Sequence, residues 1–224
     1  METLLQTDRE LLLFFNQIHY PFWDNFFWVF TSIPVWIPLY VAIIFVFFKH
    51  LELKGVWTLL AVTLVFVLCD QISSSFFKEF FERLRPSHEP SLEGIVRLVN
   101  GKKGGRFGFV SSHAANSFGL AMFTALLFKK WYYSVLIFLW ASVNSYSRIY
   151  LGLHYPGDIL GGLILGILCG FFVYWMYKRF SFRYIYGGIR QKNRYGNEVW
   201  IPVTVLVTSV FVVYIASKLL LKLM

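Results

Sequence analysis

The chain has 224 residues, 57% of them hydrophobic and 21% aromatic, with a mean hydropathy of +0.58. So much apolar surface needs lipid as its solvent, which excludes an ordinary soluble domain. The net charge of +9 comes from basic residues scattered between apolar runs, not gathered in one stripe, so no nucleic-acid partner is expected.

From the N-terminus, Glu2, Asp8 and Glu10 stand against Arg9, so the basic start of a cleavable signal peptide is missing. Residues 8–18 set a short apolar stretch beside charges and predict an interfacial helix lying on the membrane. Phe22, Trp23, Phe26, Phe27 and Trp28 are expected near a headgroup boundary. Apolar runs then predict six transmembrane helices, at 26–48, 56–77, 111–128, 132–150, 159–177 and 199–221. Pro34 and Pro38 predict a kink in the first of them. The expected fold is all-α, an integral-membrane helical bundle of about six spans plus the interfacial helix, forming one domain over residues 1–224. Residues 178–198 read as a basic cytoplasmic loop. Cys69 and Cys169 fall inside apolar runs and are expected to be buried thiols, with no disulfide framework and no metal-type spacing. Small residues four apart, Ala115 and Gly119 in the third span and Gly162, Gly166 and Gly170 in the fifth, mark faces where helices approach closely.

Lysine and arginine set the orientation. Ten cations follow the odd-numbered spans: Lys49, Lys54, Lys129, Lys130, Lys178, Arg179, Arg183, Arg190, Lys192 and Arg194. The other side holds Arg9, Lys218 and Lys222, together with eight more at Arg148 and between Lys78 and Arg106. With those eight set aside as site residues, the positive-inside rule turns both termini away from the cytoplasm. With them counted, the two sides are nearly equal.

That topology gathers three polar clusters at one membrane face. In Lys78–Pro86, KEFFERLRP, the spacing predicts a helix continuing out of the bilayer, with Lys78 and Arg85 two turns apart on one face and Pro86 ending it. Taken alone, these are snorkelling cations at a helix end. In Gly108–His113, GFVSSH, the serines read as caps of the third span, whose free N–H groups also suit an anion. In Ser147–Asp158, SRIYLGLHYPGD, Arg148 ends the fourth span and Pro156 opens the fifth. Asp158, four residues after His154, either caps that helix or curls back to fix the imidazole tautomer, leaving the other nitrogen as nucleophile or base. The combination decides between these readings. Charges near a bilayer are costly, and here they converge from three separate loops. Lys78, Arg85 and Arg148 match three phosphate oxygens, and two histidines supply a nucleophile and a proton donor.

These stretches resemble the three signature motifs of the type 2 phosphatidic acid phosphatase superfamily: Lys-x6-Arg-Pro, Pro-Ser-Gly-His and Ser-Arg-x5-His-x3-Asp. The first and third match in full; in the second, Val110 stands for proline and Ser112 for glycine. The resemblance spans residues 8–177 and leaves the last span, 199–221, as an addition. It implies His154 as a nucleophile forming a phosphohistidine, oriented by Asp158, with His113 as general acid and then base. Lys78, Arg85, Ser111, Arg148 and the backbone of Ser112 are implied to hold the phosphate, with no cofactor and no metal. The substrate implied is a membrane lipid phosphate monoester or diphosphate. For a bacterial chain the family offers undecaprenyl diphosphate, lipid A and phosphatidylglycerol phosphate, hydrolysed at the outer face of the inner membrane.

Other residues carry expectations of their own. Asp70 lies inside the second span, about 12 Å from Lys78 at helical rise, and is expected to hydrogen-bond Ser142, Asn144 or Ser145. His88 and Glu89 are expected in a solvated loop. Lys102, Lys103 and Arg106, in the loop RLVNGKKGGR, are candidate headgroup contacts, either for a second phosphate or sugar or as a patch on anionic lipid. The basic loop favours undecaprenyl diphosphate or lipid A. A transporter with a charged gate would line a path across the bilayer, and a vanadate-dependent haloperoxidase would need a soluble helical shell; the sequence favours neither. It leaves the oligomeric state open.

Overall fold

The computed structural model describes residues 2–185 and 195–223, and these contain nine α-helices. Helix α1 (Glu2–Gln17) covers one end of the bundle, with Leu12 and Asn16 buried on one face and Leu4, Leu11 and Phe14 exposed. Asn16 donates to the carbonyls of Tyr150 at 2.9 Å and Arg97 at 3.0 Å, tying this helix to what lies beneath.

The sequence expected one kinked span over 26–48; the chain forms two helices instead, α2 (Pro21–Phe30) and α3 (Ile33–Leu51). Ser32 is extended between them, and Pro34 sits in the first turn of α3, where a missing N–H costs nothing. Proline therefore restarts a helix here. Phe26 and Phe27 are buried in the bundle, and the Phe27 ring packs 4.6 Å from that of Tyr150.

After Glu52, with φ +49°, the chain reverses, and α4 (Gly55–Gln71) runs back along α3 so that Tyr40 meets Phe66. A wider π turn, Ile72–Phe77, joins α4 to the short α5 (Lys78–Phe81). Helices α6 (Ser112–Phe128), α7 (Trp131–Tyr150) and α8 (Pro156–Phe180) form the centre, and α9 (Trp200–Leu223) packs on α2 and α3. Among the described residues three helical stretches are long and apolar enough to cross a membrane: Ile33–Phe81, which contains the α3–α4 hairpin, Pro156–Tyr184 and Asn197–Leu223. Helices α6 and α7 fall outside that class although spans were expected there. Both carry polar site residues.

The small-residue faces do bring α6 and α8 together. A Cβ on Gly162, Gly166 or Gly170 would lie 2.4–2.6 Å from the carbonyl oxygens of Ser111, Ala115 and Gly119, respectively, so only glycine permits this contact. It fixes the start of α6 against the start of α8, which positions the site. Thr58, Ser117, Thr124 and Asn144 are buried inside, while Ile164, Leu168, Val207 and Phe211 face outward, the pattern of a bundle dissolved in lipid. Cys69 and Cys169 are buried, free thiols. In the 178–198 loop, α8 runs on to Phe180 and residues 181–185 form another π turn. Arg190, Lys192 and Arg194 lie outside the described residues.

Asp70 departs from its expectation. The buried positions of α4 are Gly55, Thr58, Ala61, Val62, Val65 and Cys69, one stripe at helical spacing, and Asp70 lies off it with its side chain exposed. Asn144 bonds to Ser117, and Ser142 to the Phe138 carbonyl; neither meets Asp70.

Candidate active site

The α7–α8 connection carries the centre. Gly152, with φ +73°, turns the chain after α7, and Pro156 opens α8 two residues beyond His154. Asp158, in the first turn, accepts the backbone N–H of Tyr155 at 3.1 Å and faces His154 Nδ1 at 3.2 Å through the same Oδ2. One carboxylate oxygen thus both caps the helix and faces the imidazole. A carboxylate only accepts, so Nδ1 carries the proton and Nε2 keeps a free lone pair. His154 is 1% exposed and Asp158 fully buried. Gly108 closes one edge, since a Cβ there would lie 2.8 Å from Asp158 Oδ2. Burial, and then the positive charges of Arg85, Arg148 and Lys78, hold the His154 imidazole well below its ordinary range, so it is neutral at physiological pH.

A buried carboxylate needs a paired charge, and its partner is one the motif reading passed over. Arg83 Nη1 bonds Asp158 Oδ1 at 3.0 Å, Arg83 Nη2 bonds Asp8 Oδ2 at 2.7 Å, and the guanidinium lies 4.1 Å from the Tyr155 ring centroid. Asp8 in turn accepts the Gly157 N–H at 2.7 Å. Helix α1 is thus fastened to the start of α8 through the group that orients His154. Sequence spacing gave no signal for this: Arg83 sits among the unspecified positions of KEFFERLRP, and Asp8 is 75 residues away from it.

The three phosphate-type cations arrive by different routes. Lys78 Nζ donates to Ser112 Oγ at 2.7 Å and Ser74 Oγ at 3.2 Å, while Ser73 Oγ donates to Ser112 Oγ at 2.8 Å. The Ser112 side chain, where the motif has glycine, therefore holds Lys78. Arg85 does not share a helical face with Lys78. Helix α5 stops at Phe81, Glu82 is left-handed (φ +44°), and Arg85 lies in extended chain whose N–H bonds Arg106 O at 3.0 Å. Its Nε donates to Phe107 O at 3.0 Å. The bend, not helical spacing, brings these two cations to one place. Arg148, 5% exposed, donates from Nη1 to Thr31 Oγ1 at 3.2 Å, and its Nε has no partner among the described residues. Arg83 and Arg97 are paired with carboxylates, but Lys78, Arg85 and Arg148 enter no ion pair among the described residues.

Ser111 is the N-cap of α6, its Oγ accepting from Ala114 N at 3.4 Å, and the next N–H groups at the helix start have no partner among the described residues. His113, in that first turn, lies within electrostatic reach of Arg148, His154, Arg85 and Lys102. Of the candidate headgroup residues, Lys102 also sits 5.2 Å over the Trp28 ring; Lys103 and Arg106 are exposed, Arg106 over Phe107. Arg97, from the same loop, is committed to Asp24. His88 and Glu89 lie half-buried, His88 against Ser87, so that loop is less solvated than expected. Among the described residues no three His, Cys, Asp or Glu side chains gather as metal ligands.

A buried, neutral imidazole aimed by a carboxylate, set among three cations that enter no ion pair among the described residues, suits a phosphate-handling centre at one end of a membrane bundle. The chain belongs to the PAP2 superfamily, which it matches over residues 55–182. It is an integral-membrane lipid phosphatase. It is 45% identical over 185 residues to a lipid A 4'-phosphatase of Bacteroides thetaiotaomicron, covering 82% of each chain. With a lipid A 4'-phosphatase of Porphyromonas gingivalis it shares 39% over 178 residues, 79% of this chain and 75% of that one. Its fold resembles that of the first transmembrane PAP2 type phosphatidylglycerolphosphate phosphatase from Bacillus subtilis, with a TM-score of 0.64 and 24% identity over 80% of this chain and 88% of that one.

Proposed function

We propose that this phosphatase removes a phosphate from lipid A, and that it does so through a phosphohistidine on His154. The observation that carries the chemistry is the set of three cations that enter no ion pair among the described residues, around a neutral, carboxylate-aimed imidazole. Lys78, Arg85 and Arg148 grip the phosphate oxygens, and the free N–H groups at the start of α6 add donors. His154 Nε2 attacks phosphorus in line, and the P–O bond to the lipid breaks. His113 gives its proton to the leaving lipid oxygen. Water then attacks the phosphohistidine, His113 takes its proton, and the N–P bond breaks to free inorganic phosphate and restore His154. Asp158 stabilises the charge on the imidazole, and Arg83 holds Asp158.

Charge neutralisation is assigned to protein cations, so the reaction is proposed to need no divalent ion or other cofactor. Two relatives named lipid A 4'-phosphatases support the choice of lipid. The site is proposed to face the periplasm from the inner membrane: Lys49, Lys54, Lys129, Lys130, Lys178 and Arg179 all lie at the bundle end opposite His154, as the positive-inside rule requires of a cytoplasmic face. The connector 178–198 then lies in the cytoplasm, and α9 is a further span beside the catalytic core. Phosphate release from lipid A by purified protein in EDTA tests the reading. Full activity after His154→Ala removes the mechanism, and a strict requirement for Mg²⁺ removes its metal-independent form.

A further inference from the structure

Beneath the phosphate-facing cations lies a cavity of about 370 Å³ between α3, α4 and α6, a size typical of ligand pockets. Its roof includes His113 and Thr31, the residue bonded to Arg148. Its deeper walls are hydrocarbon, formed by side chains such as Phe47, Leu59 and Val62. Between roof and walls the lining turns polar. Asn144, 7% exposed, donates from Nδ2 to Ser117 Oγ at 2.8 Å. Its Oδ1 and the Oδ1 of Asn116 are buried with no hydrogen-bond partner among the described residues. Asn116 follows His113 by three residues and Asn144 precedes Arg148 by four, so both stand about one helical turn, ~5 Å, beneath groups that face the phosphate. Buried amide oxygens are rarely left unpaired, and two at one depth in one cavity mark where a ligand's donor belongs.

We propose that this cavity receives one acyl chain of the substrate, and that Asn144 and Asn116 accept a hydrogen bond from an amide N–H or hydroxyl of that chain just below its phosphate. The proposal rests on the phosphatase reading and narrows it by chemistry. A polyprenyl diphosphate is hydrocarbon at that depth. A diacylglycerol phosphate presents ester oxygens, which cannot donate. An acylated sugar phosphate with amide-linked or hydroxylated chains presents the donor.

The test compares kcat/KM of the full chain in detergent on lipid A, dioleoyl phosphatidate and undecaprenyl diphosphate. Each value is divided by that for a short water-soluble phosphate ester on the same preparation. Wild type is expected to favour lipid A at least about tenfold over the other two, and Asn144→Leu to cut the ratio of lipid A to phosphatidate about tenfold, one buried hydrogen bond's effect. Val62→Phe, which narrows the cavity, is expected to lower both acyl lipids relative to the soluble ester. If Asn144→Leu does not fold, Asn116→Leu, at a half-buried position, gives the same reading. A ratio of lipid A to phosphatidate unchanged by the asparagine variant overturns the proposal, as does a Val62→Phe effect equal on lipids and soluble ester. Equal wild-type efficiency on all three lipids overturns it while leaving the phosphatase reading intact. No phosphate release from any lipid overturns both.

Discussion

The two halves of the site are built on opposite terms. In the half formed by the α7–α8 connection, polar groups are bonded before any substrate arrives: Asp158 to His154, Tyr155 and Arg83, and Arg83 to Asp8. In the half formed by Lys78, Arg85 and Arg148, the cations are held by hydroxyls and a carbonyl and enter no ion pair among the described residues. The first half is preorganised, so the proposed nucleophile is already held in place and little orientation is left to the moment of reaction. The second is short of negative charge, which a phosphate brings. A carboxylate among those cations would compete with the substrate, while one beside His154 helps it.

This contrast can be broken at several points. His154→Ala removes the proposed nucleophile and is expected to lower phosphate release by ~10⁴-fold or more. Arg148→Lys keeps the charge but loses the planar fork, and a drop of about 10²-fold in kcat/KM is expected from the same assay. Arg83→Gln leaves every phosphate contact in place yet releases Asp158. It is expected to lower kcat by about 10–100-fold with KM little changed, and adding Asp8→Asn should cost far less than the two single effects combined. Arg83→Lys should recover part of the loss. The pH profile sharpens the comparison. Burial and the neighbouring cations depress the His154 pKa, so the acid limb of kcat/KM should lie below pH 6.5. Removing one repelling charge with Arg85→Gln lets the imidazole bind its proton more readily, and the limb should move up by about one unit. The smallest effect is expected at the exposed Lys103, where Lys103→Ala should raise KM by less than about fivefold and lose that effect in high salt.

What the sequence made legible follows the same division. Lys78, Arg85, Ser111, His113, Arg148, His154 and Asp158 stand at fixed separations within three short motifs, so these candidates can be picked out from the chain alone. The glycines of α8 and the apolar runs likewise announce a packed membrane bundle. Arg83 and Asp8 escaped because their ion pair joins elements 75 residues apart, a separation that local periodicity does not encode. The break at Ser32 escaped because proline both kinks helices and starts them, and only the packing of α2 decides which. The shared face expected for Lys78 and Arg85 failed because Glu82 ends the helix in a left-handed turn, a conformation that glutamate seldom adopts. Asp70 was misplaced by its depth; depth along a helix says nothing about the face on which a side chain lies.

The most direct test of the central claim is rapid alkaline quenching of the purified protein with lipid A labelled in its phosphate, followed by mapping of the labelled peptide. An acid-labile label on His154, formed and lost within a turnover and absent from His154→Gln, is expected. A label on another residue, or turnover in His154→Gln at the wild-type rate, contradicts it.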